Sequence, residues 1–135
     1  RDEVLQESLA GSLAERDALE QLGDEAAYRH PNLPHRTFQQ LRRGRFSIEA
    51  VADLHGLTAL EAKVVLREFI GESRDRGLGC VRVIHGKGLR SGPEGPVLKV
   101  RVQRWLAQWD DVLAFVTARA RDGGSGAVYV LLRRR

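Results

Sequence analysis

Asp53 and His55 lie two residues apart at the end of a short apolar run, and a second apolar run ends in His85-Gly86-Lys87-Gly88. On a strand, residues two apart project from the same side, so this carboxylate and imidazole would meet if the strand persists to His55. A carboxylate in that place fixes the imidazole tautomer and equips the ring to act as a general base or acid near neutral pH. Around His85, the glycines remove side-chain obstruction so that backbone amides can approach an oxyanion, and Lys87 adds a mobile positive charge. A His-Gly pair at a strand end is, taken alone, an ordinary turn. The convergence of two such pairs on one edge is what points to chemistry on a phosphodiester.

The elements that must position these residues follow from periodicity and breakers. Val51 to Leu54 is a short apolar strand, and Thr58 with Glu61 has the capping-box spacing that opens a helix. Ala62, Val65, Leu66, Phe69 and Ile70 then form one apolar helical face that ends near Gly77. Cys80 to Ile84 is a β-branched strand, and Pro96 suits the first turn of a second helix whose Leu98, Val102, Trp105 and Trp109 share a face. Strands at Val112 to Val116 and Ala127 to Leu132 flank a Gly123-Gly124-Ser125-Gly126 connector. The fold class expected is α/β, a two-layer βαβαββ sandwich: a four-stranded mixed sheet with both helices on one face. The first three strands are expected to pair in parallel and the last to run antiparallel. In such a sheet the carboxyl ends of the parallel strands open on one edge, where the amino end of the Thr58 helix adds partial positive charge.

Ahead of this body, residues 1–35 read as an acidic arm of short helices ending near Gly23, joined by a Pro-rich linker; residues 36–135 form the domain. A short basic helix at 37–43, stopped by Gly44, opens that domain, and either it or the arm should cover part of the bare sheet face. Its arginines Arg42 and Arg43, with Arg45, precede Asp53 by a stretch that, if extended, would place them about 25 Å from the site, suited to positioning nucleic acid.

Composition limits the alternatives. Of 135 residues 42% are hydrophobic and 30% charged, which fits one globular domain. Residues 1–30 hold eight acids against three bases, leaving 19 bases against ten acids in the remainder, and a body this basic suits a polyanion. One cysteine, Cys80, excludes an internal disulfide and a Cys-rich zinc site, and its place at the start of an apolar strand marks it as core. No run reaches the roughly 18 apolar residues of a membrane span and nothing resembles a signal peptide, so a cytoplasmic protein without a membrane partner is expected. Methionine is absent even from position 1, which marks the chain as a fragment or a processed form.

Asp53-Leu54-His55-Gly56-Leu57-Thr58, Ile84-His85-Gly86-Lys87-Gly88 and Gly123-Gly124-Ser125-Gly126-Ala127 together resemble the small MutS-related (Smr) domain, over roughly residues 36 to 135. The acidic arm and Leu41-Arg42-Arg43-Gly44 resemble the bacterial stand-alone members. Ala52 departs from the Leu usual before the Asp, a change in packing. The resemblance implies the two-layer sandwich seen in the carboxy-terminal domain of translation initiation factor 3. It also implies endonuclease activity, either DNA nicking or RNA cleavage, including cleavage of messenger RNA at collided ribosomes. It assigns catalysis to Asp53 and His55 and binding or assistance to His85, Gly86, Lys87 and Gly88.

The resulting expectation is an endonuclease in which His55, oriented by Asp53, is general base or acid, and His85 is its complementary acid or base or a phosphate ligand. Lys87 and the amides of Gly86 and Gly88 would hold phosphate, while Arg42, Arg43, Arg45 and Arg90 would bind nucleic acid. RNA cleavage would need no cofactor, because the 2′-hydroxyl is the nucleophile; DNA nicking would call on a divalent metal such as Mg²⁺. The partners expected are RNA or DNA and the ribosome, with the protein itself a monomer. A binding module without catalysis is the competing reading, and a small-molecule phosphate enzyme is disfavoured because the P-loop and dinucleotide spacings are missing.

Overall fold

The computed structural model of the chain describes residues 25–87 and 95–134. In chain order they form β1 (Ala27–Arg29), α1 (His35–Arg42), β2 (Val51–Asp53), α2 (Ala59–Asp75), β3 (Cys80–Ile84), α3 (Gly95–Gln108), β4 (Val112–Thr117) and β5 (Ala127–Leu132), with two short 3₁₀ turns between β4 and β5. The capping box that opens α2 is formed at both ends: the Thr58 hydroxyl accepts from the Glu61 amide at 3.2 Å and the Glu61 carboxylate from the Thr58 amide at 2.9 Å. Gly77, at φ +75°, ends that helix. The acidic helices expected up to Gly23, and Gly88 and Arg90, lie outside the described residues.

The sheet has five strands in the order β1-β4-β5-β3-β2, which corrects the expectation of four. Only β2 and β3 pair in parallel; β5 lies between β3 and β4 and is antiparallel to both, so the third parallel strand is not a neighbour of the second. The short connection from β4 returns the chain directly beside it, and every residue of β5 is buried, as a central strand requires. The added strand, β1, pairs antiparallel with β4, and Tyr28 stacks on Phe115 with ring centroids 5.5 Å apart.

Alternation along the strands divides the core. Val81, Val83, Val128, Val130 and Phe115 face α2 and α3, packing on Leu66, Ile70, Leu98, Val102 and Leu106. The intervening Cys80, Ala114, Val116, Tyr129 and Leu131 face the opposite way, onto Phe38 and Leu41 of α1 and Leu33. The basic helix therefore covers the second face, as one of the two expected arrangements had it. Arg67 and Arg74 reach the Asp111 carboxylate at 2.8 and 3.4 Å and fasten α2 to the α3–β4 turn. No helix among the described residues is long and apolar enough to cross a membrane.

β1 caps the edge of β4 through more than its ladder. The Ala26 amide donates to the Thr117 hydroxyl at 2.6 Å and the His30 amide to the Leu113 carbonyl at 2.8 Å. Removing residues 1–30 should therefore cost about 2 kcal/mol more in stability than removing residues 1–24, since it strips this strand and uncovers Phe115. Urea unfolding of the two truncated chains checks this, and equal midpoints would show that the strand adds nothing.

Candidate active site

β3 and β4 both run antiparallel to β5, and β2 is parallel to β3, so the carboxyl ends of β2, β3 and β4 meet on one edge. At the end of β2 the ladder continues one residue further, because the Leu54 amide donates to the Ile84 carbonyl at 2.7 Å. Leu54 is fully buried between two exposed neighbours. That anchor preserves the alternation through His55 and brings the two polar side chains together. Gly56, at φ +80°, then turns the chain toward the amino end of α2.

One oxygen of Asp53, Oδ1, accepts both the His55 backbone amide at 3.1 Å and the His55 ring Nδ1–H at 2.6 Å. Partial desolvation pushes the Asp53 carboxyl upward, but the ring and backbone hydrogen bonds and the charge of His55 outweigh it and hold the group below its ordinary range. An ionised carboxylate can only accept, so the proton sits on Nδ1 and the lone pair on Nε2. The imidazole is 67% exposed, leaving that nitrogen open to a substrate. A tautomer fixed by a carboxylate, with the opposite nitrogen free, is what a general base needs.

His85 sits in the opposite environment. It is 1% exposed, its Nδ1–H donates to the Gly86 carbonyl at 2.8 Å, and its Nε2 is buried without a hydrogen-bond partner among the described residues. Burial, opposed by that hydrogen bond and reinforced by the positive charge of the buried Lys99 on α3, holds its pKa down at about 4. The ring is neutral at pH 7. The turn it anchors is fixed from across the sheet, for the amides of His85 and Gly86 both donate to the Gly126 carbonyl at 3.0 Å. The Gly86 amide, expected to face an oxyanion, is thereby taken.

Gly86 serves by its lack of a side chain. It adopts φ +85°, and a Cβ there would lie 3.4 Å from the His55 Cβ, so the two turns touch. A Cβ on Gly126 would meet the Lys87 side chain at 3.2 Å. Lys87 follows this junction directly and is exposed. Among the described residues no three His, Cys, Asp or Glu side chains gather as a metal site. Burial and the nearby Glu49 push the Cys80 thiol up to about 12, in keeping with a core residue.

The arginines are displaced from where the spacing put them. After α1 the chain crosses the sheet face with Phe46 and Ile48 packed against it, so the end of α1 does not trail behind β2. Arg42 and Arg43 instead line a groove with Thr117 and Arg119 at the carboxyl end of β4, on the edge that carries His55. Arg119 and the Gly126 carbonyl were not legible as site residues. The glycine-rich connector was their only signal, since glycines recur where backbones approach closely.

Residues 52–133 match the Smr domain family. The chain is 38% identical over 132 residues to the Ribosome rescue factor SmrB of Pectobacterium atrosepticum, covering 96% of this chain and 70% of that one. It is 36% identical over 107 residues to the Probable DNA endonuclease SmrA of Escherichia coli, covering 79% and 57%. The Ribosome rescue factor SmrB of Pectobacterium carotovorum is 40% identical over 105 residues, or 78% of this chain, which spans 55% of that protein's length. Among solved structures, YdaL, a stand-alone small MutS-related protein from Escherichia coli, superposes with a TM-score of 0.73 at 34% identity, covering 84% of this chain and 86% of that one. The Smr domain of Thermus thermophilus MutS2 gives 0.55 at 32% identity, covering 62% and 98%. The match over residues 52–133, which carries Asp53, His55 and the His85 turn, makes this chain a member of the Smr domain family.

Proposed function

We propose that the chain is an endonuclease that cleaves RNA by transesterification, and the observation that carries this reading is the Asp53–His55 pair with its free Nε2. His55 Nε2 takes the proton of a 2′-hydroxyl, and that oxygen attacks the adjacent phosphorus. The 5′-oxygen departs with a proton returned by the His55 imidazolium, leaving a 2′,3′-cyclic phosphate and a 5′-hydroxyl. Asp53 orients the ring and stabilises its charged form. Lys87 offsets the negative charge that grows on the phosphoryl oxygens. His85 is a positioning residue: neutral and buried, it holds the Gly86–Lys87 turn against His55 rather than exchanging protons with substrate.

The donor set favours RNA. Asp53 and His55 are engaged with each other and His85 is turned inward, so the three do not present a shared face to a metal ion. Transesterification takes its nucleophile from the substrate and needs no such face. A relative named a probable DNA endonuclease supports the second reading, DNA nicking assisted by a divalent ion such as Mg²⁺. Relatives named ribosome rescue factors support messenger RNA on the ribosome as the physiological target.

In excess chelator, wild-type protein should cut an RNA oligonucleotide to 2′,3′-cyclic phosphate ends, and His55→Ala should lower the rate by roughly 10²- to 10⁴-fold with binding retained. Activity on DNA that vanishes with chelator and returns with Mg²⁺ would favour nicking. Asp53→Asn and His55→Ala proteins that behave as wild type in every assay would support a binding module without catalysis.

His85 gives a separate test. Its folded pKa lies below the unfolded value of about 6.5, so the unfolded chain binds more protons between these values. Stability from the neutral buried ring is complete above pH 6.5 and is lost as pH falls toward 4, by up to roughly 3 kcal/mol. His85→Asn, which can still donate to the Gly86 carbonyl, should lack that component of the pH dependence. Denaturation midpoints measured from pH 7 to pH 4 decide it: parallel curves for the two proteins would mean that His85 is accessible and able to act as the acid.

A further inference from the structure

We propose that the groove between the end of α1 and the β4–β5 connection binds the sugar-phosphate backbone of the strand on one side of the cleaved bond, with Arg42, Arg43 and Arg119 as phosphate ligands. This rests on the nuclease reading above and adds to it the path of the substrate. The groove encloses about 370 Å³ and is walled by α1 on one side and by Thr117 to Arg119 on the other. All three guanidinium groups are exposed, and none forms a salt bridge among the described residues. Glu25 is the one acid lining it among those residues, so the wall carries a clear positive excess. A second depression of about 290 Å³ shares Arg43 and continues to Arg36 and Arg45. Unpaired guanidinium groups along an open groove suit a chain of phosphates, each of which releases counterions when bound.

The wall is held stiffly and is tied to the catalytic turn. The Arg119 amide donates to the Tyr129 hydroxyl at 3.2 Å, and that hydroxyl donates to the Asp122 carboxylate. Arg82 from β3 reaches the Asp122 carbonyl at 3.2 Å, while Arg121 reaches the Gly44 carbonyl at 3.4 Å and so joins the connection to the end of α1. The same connection ends at Gly126, whose carbonyl fixes His85 and Gly86. From β2 to β4 is three strand spacings, about 15 Å, or about four stacked nucleotides. A strand cut at His55 can thus pass over Lys87 and reach Arg119 without a gap.

The competing occupant is the chain itself, because residues 1–24 hold seven acids against two bases and join the fold at Glu25. Binding of RNA oligonucleotides of increasing length, measured with the full chain carrying His55→Ala over a range of salt, separates the cases. Affinity should rise as the strand extends past about four nucleotides from the cut site mapped with wild-type protein. Adding Arg42→Ala, Arg43→Ala and Arg119→Ala should remove that gain and lower the slope of log affinity against log salt by about 2. Arg76→Ala, Arg133→Ala and Arg134→Ala, which remove equal charge from the opposite edge, should preserve both. The proposal is overturned if the groove variant keeps the parent slope and length gain, if the control loses as much, or if the groove variant binds more tightly because an acidic segment has lost its seat. Length-dependent binding through the groove by a wild-type protein that cuts neither RNA nor DNA would leave the groove in place and remove the nuclease reading alone.

Discussion

The Gly126 carbonyl accepts two amides, those of His85 and Gly86, and the geometry of the whole edge depends on it. It ties the turn after β3 to the residue immediately before β5, so the His-Gly-Lys turn is backed by a strand that is buried throughout and paired on both sides. Rigid backing is required because the turn is packed closely: Gly86 lies against His55, and Gly126 against Lys87. A side chain at Gly126 would press on Lys87, and one at Gly86 would be strained by the positive φ of that residue. The ordering of this edge is therefore supplied by backbone groups, and the exposed Asp53 and His55 side chains need make only one contact of their own.

That contact shows how environment assigns roles to two chemically identical side chains. His55 stands in solvent with a carboxylate at 2.6 Å, so its ring is oriented and its free nitrogen is accessible. His85 lies beneath the sheet edge near Lys99, where desolvation removes its charge. Divergent environments of titratable groups mark functional sites, and here one ring is open to solvent while the other is buried and neutral. The turn benefits from a neutral ring, since an imidazolium there would be repelled by the charge of Lys99.

Much of this was readable from residue types and spacing. Asp53 and His55 were placed as a pair because a two-residue offset survives any small error in strand boundaries, and Thr58 with Glu61 fixed the start of α2. Strand order was not readable, because β-α-β alternation suggests sequential parallel neighbours and says nothing of a later strand inserted between them. A cue lay in Ala127 to Leu132, an unbroken apolar run that suits a strand paired on both sides better than an edge. β1 is not legible in the sequence because three residues carry no periodicity, and its contacts are with Phe115 and Thr117, about ninety residues away. The burial of His85 was equally hidden, since it comes from neighbours remote in sequence, among them Gly126, whose carbonyl holds the turn, and Lys99 on α3.

The inserted strand also accounts for the position of the arginines. Had β4 lain beside β3, the connection leaving it would have crowded the His85 turn. With β5 between them, that connection forms a hairpin that reaches Gly126 on one side and carries Arg119 on the other. Tyr129, a polar tip on an otherwise apolar strand, gives the hairpin an internal post by hydrogen-bonding Asp122 and Arg119. Burial and the Asp122 carboxylate raise the Tyr129 pKa, so the post remains a phenol able to donate. Arg121 then bonds Gly44, which at φ +69° lets the end of α1 settle against the same hairpin. The chain between Gly44 and β2 pays for this by crossing the sheet, and in doing so it covers the second hydrophobic face with Phe46 and Ile48. One topological choice thus closes the core and gathers Arg42, Arg43 and Arg119 at the carboxyl end of β4.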